Sequence, residues 1–380
     1  MKNIAVIYGG MSVEHEVSII TGQQILDNMD TNLYKASPLY IDKDGDWFYG
    51  DKLRDISIYK DWKKKYGKKF TPDLDRKNKK NILNKFDAIV VACHGNFGED
   101  GRLQGIFDFL DIPYTSSGVV GSAAGMDKIV MKSIFQGINL PILPYIWFTK
   151  DDWLSNKTEM IKKVHYTLDY PVFVKPANLG SSIGISMANN ENELINAVTI
   201  ASQYDYRIII EKGISPSVEI NCSAIMKNKE VLTSVLEEPV RWDTFLSFED
   251  KYINSNGKTK GMSSMGRKIP AEVSDEIKKH ISEYTKLIYK TMDCNGVIRV
   301  DFLLDQNKEH IFVNEVNTIP GSFSFYLWEY NNLQFKDLIT TIIEETINQN
   351  TIRKDKILRY DSTILNKLSK NGNKMKSSKI

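Results

Sequence analysis

Gly296-Val-Ile-Arg-Val-Asp-Phe-Leu-Leu-Asp305 and His310-Ile-Phe-Val-Asn-Glu-Val-Asn317, running on into Thr318-Ile-Pro-Gly321, carry the most informative pattern in the chain. Both are short apolar runs of strand type. Side chains alternate faces along a strand with period two. Arg299 and Asp301 therefore share one face, and Val300, Phe302 and Leu304 take the other. Glu315 and Asn317 share a face, with Val316 opposed. If the two strands pair as a hairpin across Gln306–Glu309, one surface gathers Arg299, Asp301, Glu315 and Asn317. Hard oxygen ligands of this kind suit Mg²⁺ held together with nucleotide phosphates. The competing reading is a salt-bridge network on an exposed sheet face. The turn Thr318–Gly321, which exposes backbone N–H groups, favours a site.

The segments before the hairpin extend the same theme. Val273, Ile277, Ile281, Tyr284, Ile288 and Met292 recur at spacings of four and three, which predicts an amphipathic helix. Strands are expected at 218–226 and 230–237, a long mobile loop at 241–266 and a closing helix at 335–349. Further upstream, Pro171-Val-Phe-Val-Lys-Pro176 reads as a strand ending in a lysine. A small-residue loop follows, Asn178-Leu-Gly-Ser-Ser-Ile-Gly184. Small residues let a backbone approach phosphate oxygens closely, although such a loop is by itself most often a turn. Arg207-Ile-Ile-Ile-Glu-Lys-Gly213 is another strand. No Gly-Lys-Ser/Thr follows the loop, and Gly9-Gly10-Met11-Ser12-Val13 does not fit the Gly-x-Gly-x-x-Gly fingerprint. The nucleotide site is of another type.

At the start of the chain, Ile4-Ala-Val-Ile-Tyr8 leads through Gly9-Gly10 into a helix beginning near Glu16. Ala88-Ile-Val-Val-Ala92 runs into His94-Gly95. These predict a small parallel-sheet domain with its ligand groups at the carboxyl ends of the strands. A lone His after a strand is usually structural. Beside Glu14, His94 becomes a candidate substrate contact. Cys93 and His94 point to opposite faces, so they do not form a nucleophile pair.

Composition sets the outer bounds. The 380 residues suggest two or three domains. A hydrophobic fraction of 42% and a charged fraction of 26% exclude collagen-like and wholly disordered chains. The net charge of +2 argues against a dedicated nucleic-acid binder. It hides two basic segments. Residues 60–85 hold eleven Lys/Arg against three Asp, read as a solvated helix–loop excursion, and residues 351–380 hold nine against two Asp, read as a frayed tail. Cys93, Cys222 and Cys294 are too scattered for a disulfide framework or a zinc knuckle, and their apolar surroundings predict buried thiols. No signal peptide and no membrane-length apolar run is found. A soluble cytoplasmic protein with no nucleic-acid or membrane partner is expected.

Taken in order, Gly9–Ser18, His94–Gly101, Leu103-Gln-Gly105, Pro113-Tyr-Thr115, Met126-Asp-Lys128, Val174-Lys-Pro176 with Gly180–Gly184, Ile210-Glu-Lys212, Asp250-Lys-Tyr252, Ile298-Arg-Val-Asp301 and Asn314–Gly321 resemble the D-alanine–D-alanine ligase family of the ATP-grasp superfamily. The resemblance spans roughly residues 1–350. It implies an α/β ATP-grasp fold: an N-terminal parallel-sheet domain (1–125), a central lid domain (126–213), a C-terminal α+β catalytic domain (214–350) and a basic tail (351–380). It implies ATP as co-substrate, D-alanine as substrate, two Mg²⁺ or Mn²⁺ ions, and a homodimer.

By match to the family, Lys128, Lys175, Lys251 and Ser182 contact phosphates. Glu211, Lys212, Ile214 and Glu219 surround adenine and ribose. Asp301, Glu315 and Asn317 hold the metal ions. Glu14 meets the ammonium of the first amino acid and His94 lies near its carboxylate, with Val17, Tyr326 and Leu327 also binding substrate. Glu14, Ser181 and Tyr252 form a hydrogen-bonded set, and Arg299 with the Gly321 N–H stabilises the tetrahedral oxyanion.

One departure stands out. After Pro-Gly the family supplies a small hydroxyl for the acceptor carboxylate, whereas Tyr326 falls there in Ser322-Phe-Ser-Phe-Tyr-Leu-Trp328. Its phenol either meets that carboxylate or reshapes the pocket. Tyr252 in place of a histidine fits an amine acceptor. A different acceptor (D-Ser, D-lactate or another amino acid) and a non-catalytic nucleotide-binding protein are the alternatives. The metal, phosphate and oxyanion groups argue against the second.

Overall fold

The computed structural model describes residues 1–61, 67–78, 80–239, 266–354 and 362. Lys251, Tyr252 and the expected loop at 241–266, save its last residue, lie outside these residues, as does almost all of the basic tail.

The first unit comprises β1 (Lys2–Gly9), α1 (His15–Asn28), β2 (Tyr34–Ile41), β3 (Trp47–Tyr49), β4 (Lys68–Phe70), β5 (Ala88–Val91), α2 (Arg102–Leu110) and α3 (Val119–Met126). Its sheet runs β4-β3-β2-β1-β5. β1 is parallel to both β2 and β5, and Ile4–Tyr8 are fully buried, as expected of a central strand covered on both faces. The sheet is mixed, not parallel throughout, because β2–β3 and β3–β4 are antiparallel. The described residues of the basic segment include sheet and core positions. Lys68–Phe70 forms the edge strand, where lysines keep an open edge from pairing further. Asn81 and Leu83 are buried.

Helix α4 (Lys128–Gly137) leads into the second unit: β6 (Tyr145–Thr149), α5 (Lys150–Thr167), β7 (Val172–Pro176), β8 (Ser186–Ala188), α6 (Glu191–Ala201) and β9 (Arg207–Lys212). Its four strands run β6-β9-β7-β8, all antiparallel. The third unit comprises β10 (Ser217–Lys227), β11 (Glu230–Pro239), β12 (Arg267–Lys268), α7 (Asp275–Thr291), β13 (Ile298–Asp305), β14 (Ile311–Asn317), α8 (Phe325–Glu329) and α9 (Phe335–Lys354). Its sheet order is β12-β11-β10-β13-β14.

The amphipathic helix forms as predicted but starts later than Val273 and ends before Met292. Ser274 caps it by accepting from the Ile277 N–H, and Asp275 and Glu276 occupy its first turn. Such a cap contributes about 1 kcal/mol. Its buried Ile277, Ile281 and Ile288 pack on the third sheet, each contributing roughly 1.5–3 kcal/mol.

Two helices join units. Met131 and Phe135 of α4 belong to the third unit's core, while Ile129 packs on Ala177 and Ile209 of the second. Leu338, Ile339, Ile342 and Ile343 of α9 share a core with Ile4–Tyr8, so the last helix returns to the first sheet. All three cysteines are buried, as expected. No helix among the described residues is long and apolar enough to cross a membrane.

Candidate active site

The three units meet around a cavity of about 250 Å³. β13 and β14 pair antiparallel with Asp301 opposite Glu315 and Arg299 opposite Asn317, so the four polar side chains share one face as the alternation predicts. All four line the cavity. A register shift between Asp301 and Phe302 leaves Asn314 as an extra residue on β14. Bulges re-aim side chains in this way, and Asn314 also lines the cavity. Its Oδ1 is buried with no hydrogen-bond partner among the described residues.

The acidic face is charged under tension. Arg299 grips Asp301 with Nε at 2.6 Å and Nη2 at 2.8 Å, and Asn317 donates to the same carboxylate at 3.0 Å. Burial, helped by the charges of Glu219 and Glu315, pushes Asp301 above the ordinary carboxylate range, although Arg299 opposes this. Two carboxylates and two amides around a buried, charge-hungry face are the donor chemistry of a hard divalent cation. Ionised Asp301 still has acceptor capacity beyond its present bonds. Glu315 lies 3.8 Å from the ammonium of Lys128. Among the described residues no set of three His, Cys, Asp or Glu groups closes on one point.

The second unit supplies cations. Lys175 ends β7 and bonds Glu211 of β9 at 2.7 Å. These residues were expected on phosphate and on nucleoside respectively; here they form one buried ion pair. A third member, Lys132, lies 3.5 Å from the other Glu211 oxygen and is 1% exposed. Burial alone would raise the Glu211 carboxyl, but Lys132 and Lys175 hold it at about 2. Burial pulls Lys132 down, whereas for Lys175 the charges of Glu211 and Glu315 overcome burial and raise it. Lys128 donates to the Leu179 carbonyl at 2.7 Å and so tethers the small-residue loop. In that loop Ser181 and Ser182 hold φ of 54° and 59°, a left-handed conformation costing a non-glycine residue about 1–2 kcal/mol. Lys212, Ile214 and Glu219 line the same cavity.

Glu14 is the first unit's contribution. It is buried at the entry to α1, and the Ser181 hydroxyl donates to it. Two glycines make room for it. A Cβ at Gly95, where φ is +72°, would lie 2.6 Å from Glu14 Oε2, and one at Gly180 would lie 2.8 Å from it. Beside it Glu99 accepts from the N–H groups of Gly95 and Ile319. Burial, with the charge of Glu14, pushes Glu99 well up.

His94 reaches the cavity wall, but both ring nitrogens are committed within the protein, to Ile319 O and Thr21 Oγ1 at 2.8 Å each. Burial lowers its pKa to about 4, so it is neutral. Val17 and Leu327 are buried and do not line the cavity, contrary to expectation.

At the far end, Gly321 borders the cavity beside Pro320. Three successive residues, Ser322, Phe323 and Ser324, hold φ of 51°, 54° and 48°. Left-handed conformations at non-glycine residues cluster at functional sites and cost about 1–3 kcal/mol each. Tyr326 lines the cavity, and its phenol is bonded within the protein. It donates to Glu237 Oε2 at 3.0 Å. Glu237, Arg267, Lys132, Glu99 and Asn314 were not singled out from the sequence. Lys132 alone had a local signal, standing one helical turn after Lys128.

The sequence matches family models for the D-Ala D-Ala ligase N-terminus over residues 3–117 and the D-Ala D-Ala ligase C-terminus over residues 134–344. It is 35% identical to a D-alanine–D-alanine ligase of Thermosipho africanus over 371 residues, covering 96% of this chain and 98% of that protein. The structure superposes on the D-alanine–D-alanine ligase of Coxiella burnetii with a TM-score of 0.78 at 26% identity, covering 93% and 96% of the two chains. It also superposes on the VanG D-Ala:D-Ser ligase of Enterococcus faecalis with a TM-score of 0.77 at 28% identity, covering 91% and 99%. With both halves of its sequence and its three-unit architecture in agreement, the chain belongs to the D-alanine–D-alanine ligase family.

Proposed function

We propose that this chain is an ATP-dependent ligase that joins two D-alanine molecules into the dipeptide used for peptidoglycan precursors. One observation carries the reading: the main cavity collects an amino-acid-type partner (Glu14), a phosphate-type cation (Lys175) and an acidic metal-type face (Asp301, Glu315, Asn317), and a smaller pocket that shares Glu14, Glu315 and Asn317 with it adds Lys128.

A carboxylate is a poor acylating agent, so a donor carboxylate oxygen first attacks the γ-phosphorus of ATP and ADP leaves. Lys128, Lys175 and the Ser181–Ser182 loop orient and neutralise the phosphates. Asp301, Glu315 and Asn317 would hold Mg²⁺ or Mn²⁺, which supplies charge neutralisation on the phosphoryl oxygens when bound. Glu14 accepts the donor ammonium and fixes its position. The acceptor amine then attacks the acyl carbon and inorganic phosphate departs. Arg299 and the Gly321 N–H aim donors at the oxygen where negative charge develops. His94 positions the Ile319–Ser322 turn through its bonds to Ile319 and Thr21.

The test is purified protein with ATP, Mg²⁺ and a panel of D-amino and D-hydroxy acids, with ADP release followed and products weighed by mass spectrometry. D-Ala alone gives ADP and D-alanyl-D-alanine. Turnover only with a different acceptor sinks this assignment. The homodimer is a further part of the proposal, and light scattering of a monomeric mass rejects it.

A further inference from the structure

Lys132 has no part in the chemistry described above, yet a buried ammonium is costly unless it is paired. Unlike Lys175 and Glu211, it does not line the cavity. It stands on α4, the helix that packs Ile129 against the second unit and Met131 and Phe135 against the third. Its Nζ reaches both units. It lies 3.5 Å from Glu211 Oε1 on β9, and it donates to the Val313 carbonyl of β14 at 3.4 Å. Val313 stands two residues before Glu315.

Glu211 is therefore held by two cations that differ in kind. Lys175, on the cavity wall, meets Oε2 at 2.7 Å. Lys132, outside the cavity lining, faces Oε1. A phosphate entering the cavity competes with Glu211 for Lys175 and does not meet Lys132. Once Lys175 turns to that phosphate, Glu211 loses its nearer partner, and a buried carboxylate left unpaired is strongly unfavourable. The remaining charges about this cluster are Lys128, which acts on Glu211, and Glu315, which acts on both lysines. Lys128 is itself assigned to phosphate. Tyr145, opposite Glu211 on β6, is uncharged at neutral pH.

We propose that Lys132 is a positioning residue for the nucleotide: it is the fixed counter-ion of Glu211, and it frees Lys175 to exchange Glu211 for a phosphate of ATP. The inference rests on the ligase reading, in which Lys175 meets phosphate. With Lys132 in place the exchange leaves Glu211 paired on β9. Without it Glu211 keeps Lys175 for itself, and ATP binds against that ion pair. The bond to Val313 sets the same ammonium beside the strand that carries Glu315 and Asn317.

Calorimetry of the full-length protein with ATP and Mg²⁺, in the absence of amino acid, gives the nucleotide dissociation constant. Dipeptide synthesis gives the KM of D-alanine. Lys132→Met raises the ATP dissociation constant about tenfold or more and leaves the KM of the first D-alanine within about twofold. Adding Glu211→Gln removes the carboxylate that retains Lys175. The double variant Lys132→Met/Glu211→Gln therefore binds ATP several-fold more tightly than Lys132→Met alone. A merely structural role predicts the opposite, because a second change in the same cluster would weaken ATP and D-alanine binding together. Should Lys132→Met fail to fold, Lys132→Gln, which is polar and uncharged, carries the same comparison with and without Glu211→Gln. An ATP dissociation constant within about twofold of wild type in the Lys132 variants, or no recovery on adding Glu211→Gln, overturns the proposal while wild-type dipeptide synthesis stands. A wild type that binds ATP and forms no dipeptide overturns the ligase reading, and the ATP measurements still decide the role of Lys132.

Discussion

The Nδ1 atom of His94 lies 2.8 Å from the carbonyl oxygen of Ile319, 225 residues further along the chain. A carbonyl only accepts, so Nδ1 carries the proton. Nε2 then accepts from the Thr21 hydroxyl at 2.8 Å, and Thr21 Oγ1 accepts from the Ser322 N–H at 3.1 Å. Neutral imidazole satisfies every bond in this run. The strained turn beside Gly321 is thereby fastened to the first unit.

The pH dependence follows from that arrangement. Burial lowers His94 from 6.5 to about 4. A base whose folded pKa is depressed stabilises the fold above its unfolded pKa, and that contribution is lost as pH falls toward the folded value. The shift corresponds to about 3 kcal/mol. Urea midpoints of wild type should fall steeply between about pH 6.5 and pH 4. His94→Asn, which keeps a donor for Ile319 and does not titrate, should flatten that window while being less stable at pH 7.5. Identical pH profiles for the two proteins would refute the neutral-histidine account.

The buried charge cluster predicts an order of effects. Glu211 is shared by Lys132 and Lys175. Lys132→Met leaves Glu211 its shorter partner and should cost about 1–3 kcal/mol. Glu211→Gln strands two buried ammonium groups and should cost more, about 3–5 kcal/mol, the range for breaking a buried ion pair. Denaturant titrations of both variants give the comparison. The reverse order would show that Lys132, not Glu211, is the organising charge.

Gly95 offers a separate probe of Glu14. An added methyl group meets a left-handed backbone at φ +72° and lies 2.3 Å from Ser12 Oγ as well as 2.6 Å from Glu14 Oε2. Gly95→Ala should lower stability by about 1–2 kcal/mol. It should also raise the KM of the first D-alanine at least tenfold, with the KM of ATP nearly unchanged. Unaltered D-alanine kinetics would separate Glu14 from donor binding.

The hairpin that bears the acidic face was legible because its information is local. Period-two alternation is enough to put Arg299 with Asp301, and Glu315 with Asn317, on shared faces that a hairpin brings together, and the pairing adds the register that sets Asp301 opposite Glu315. What escaped is long-range. Glu237 falls at the end of a strand foreseen from sequence, yet its partners Arg267 and Tyr326 lie 30 and 89 positions away. Nothing along β11 marks it. Asn314 should face away from Glu315 by simple alternation and reaches the cavity only through a bulge. The basic stretch 60–85 reads as solvated because charge conceals the strand pairing of Lys68–Phe70. His94 was caught by its place after a strand, but its neutral, fully bonded state depends on residues from three segments.

Arg299 provides the sharpest separation of binding from chemistry. Its guanidinium is partly buried and forked onto Asp301 through Nε and Nη2, an orientation that holds the group at the cavity beside Gly321. If it acts on the tetrahedral oxyanion, it contributes only in the transition state, and its loss lowers kcat without weakening substrate binding. Arg299→Lys keeps the charge and loses the fork. It should lower kcat by about 10²–10³-fold, the usual effect of removing one oxyanion donor. The ATP dissociation constant, measured by calorimetry in the presence of Mg²⁺, should stay within a few-fold of wild type. Were ATP binding to fall in proportion to turnover, Arg299 would belong to the nucleotide and metal face through Asp301, and the oxyanion assignment would have to pass to backbone donors alone.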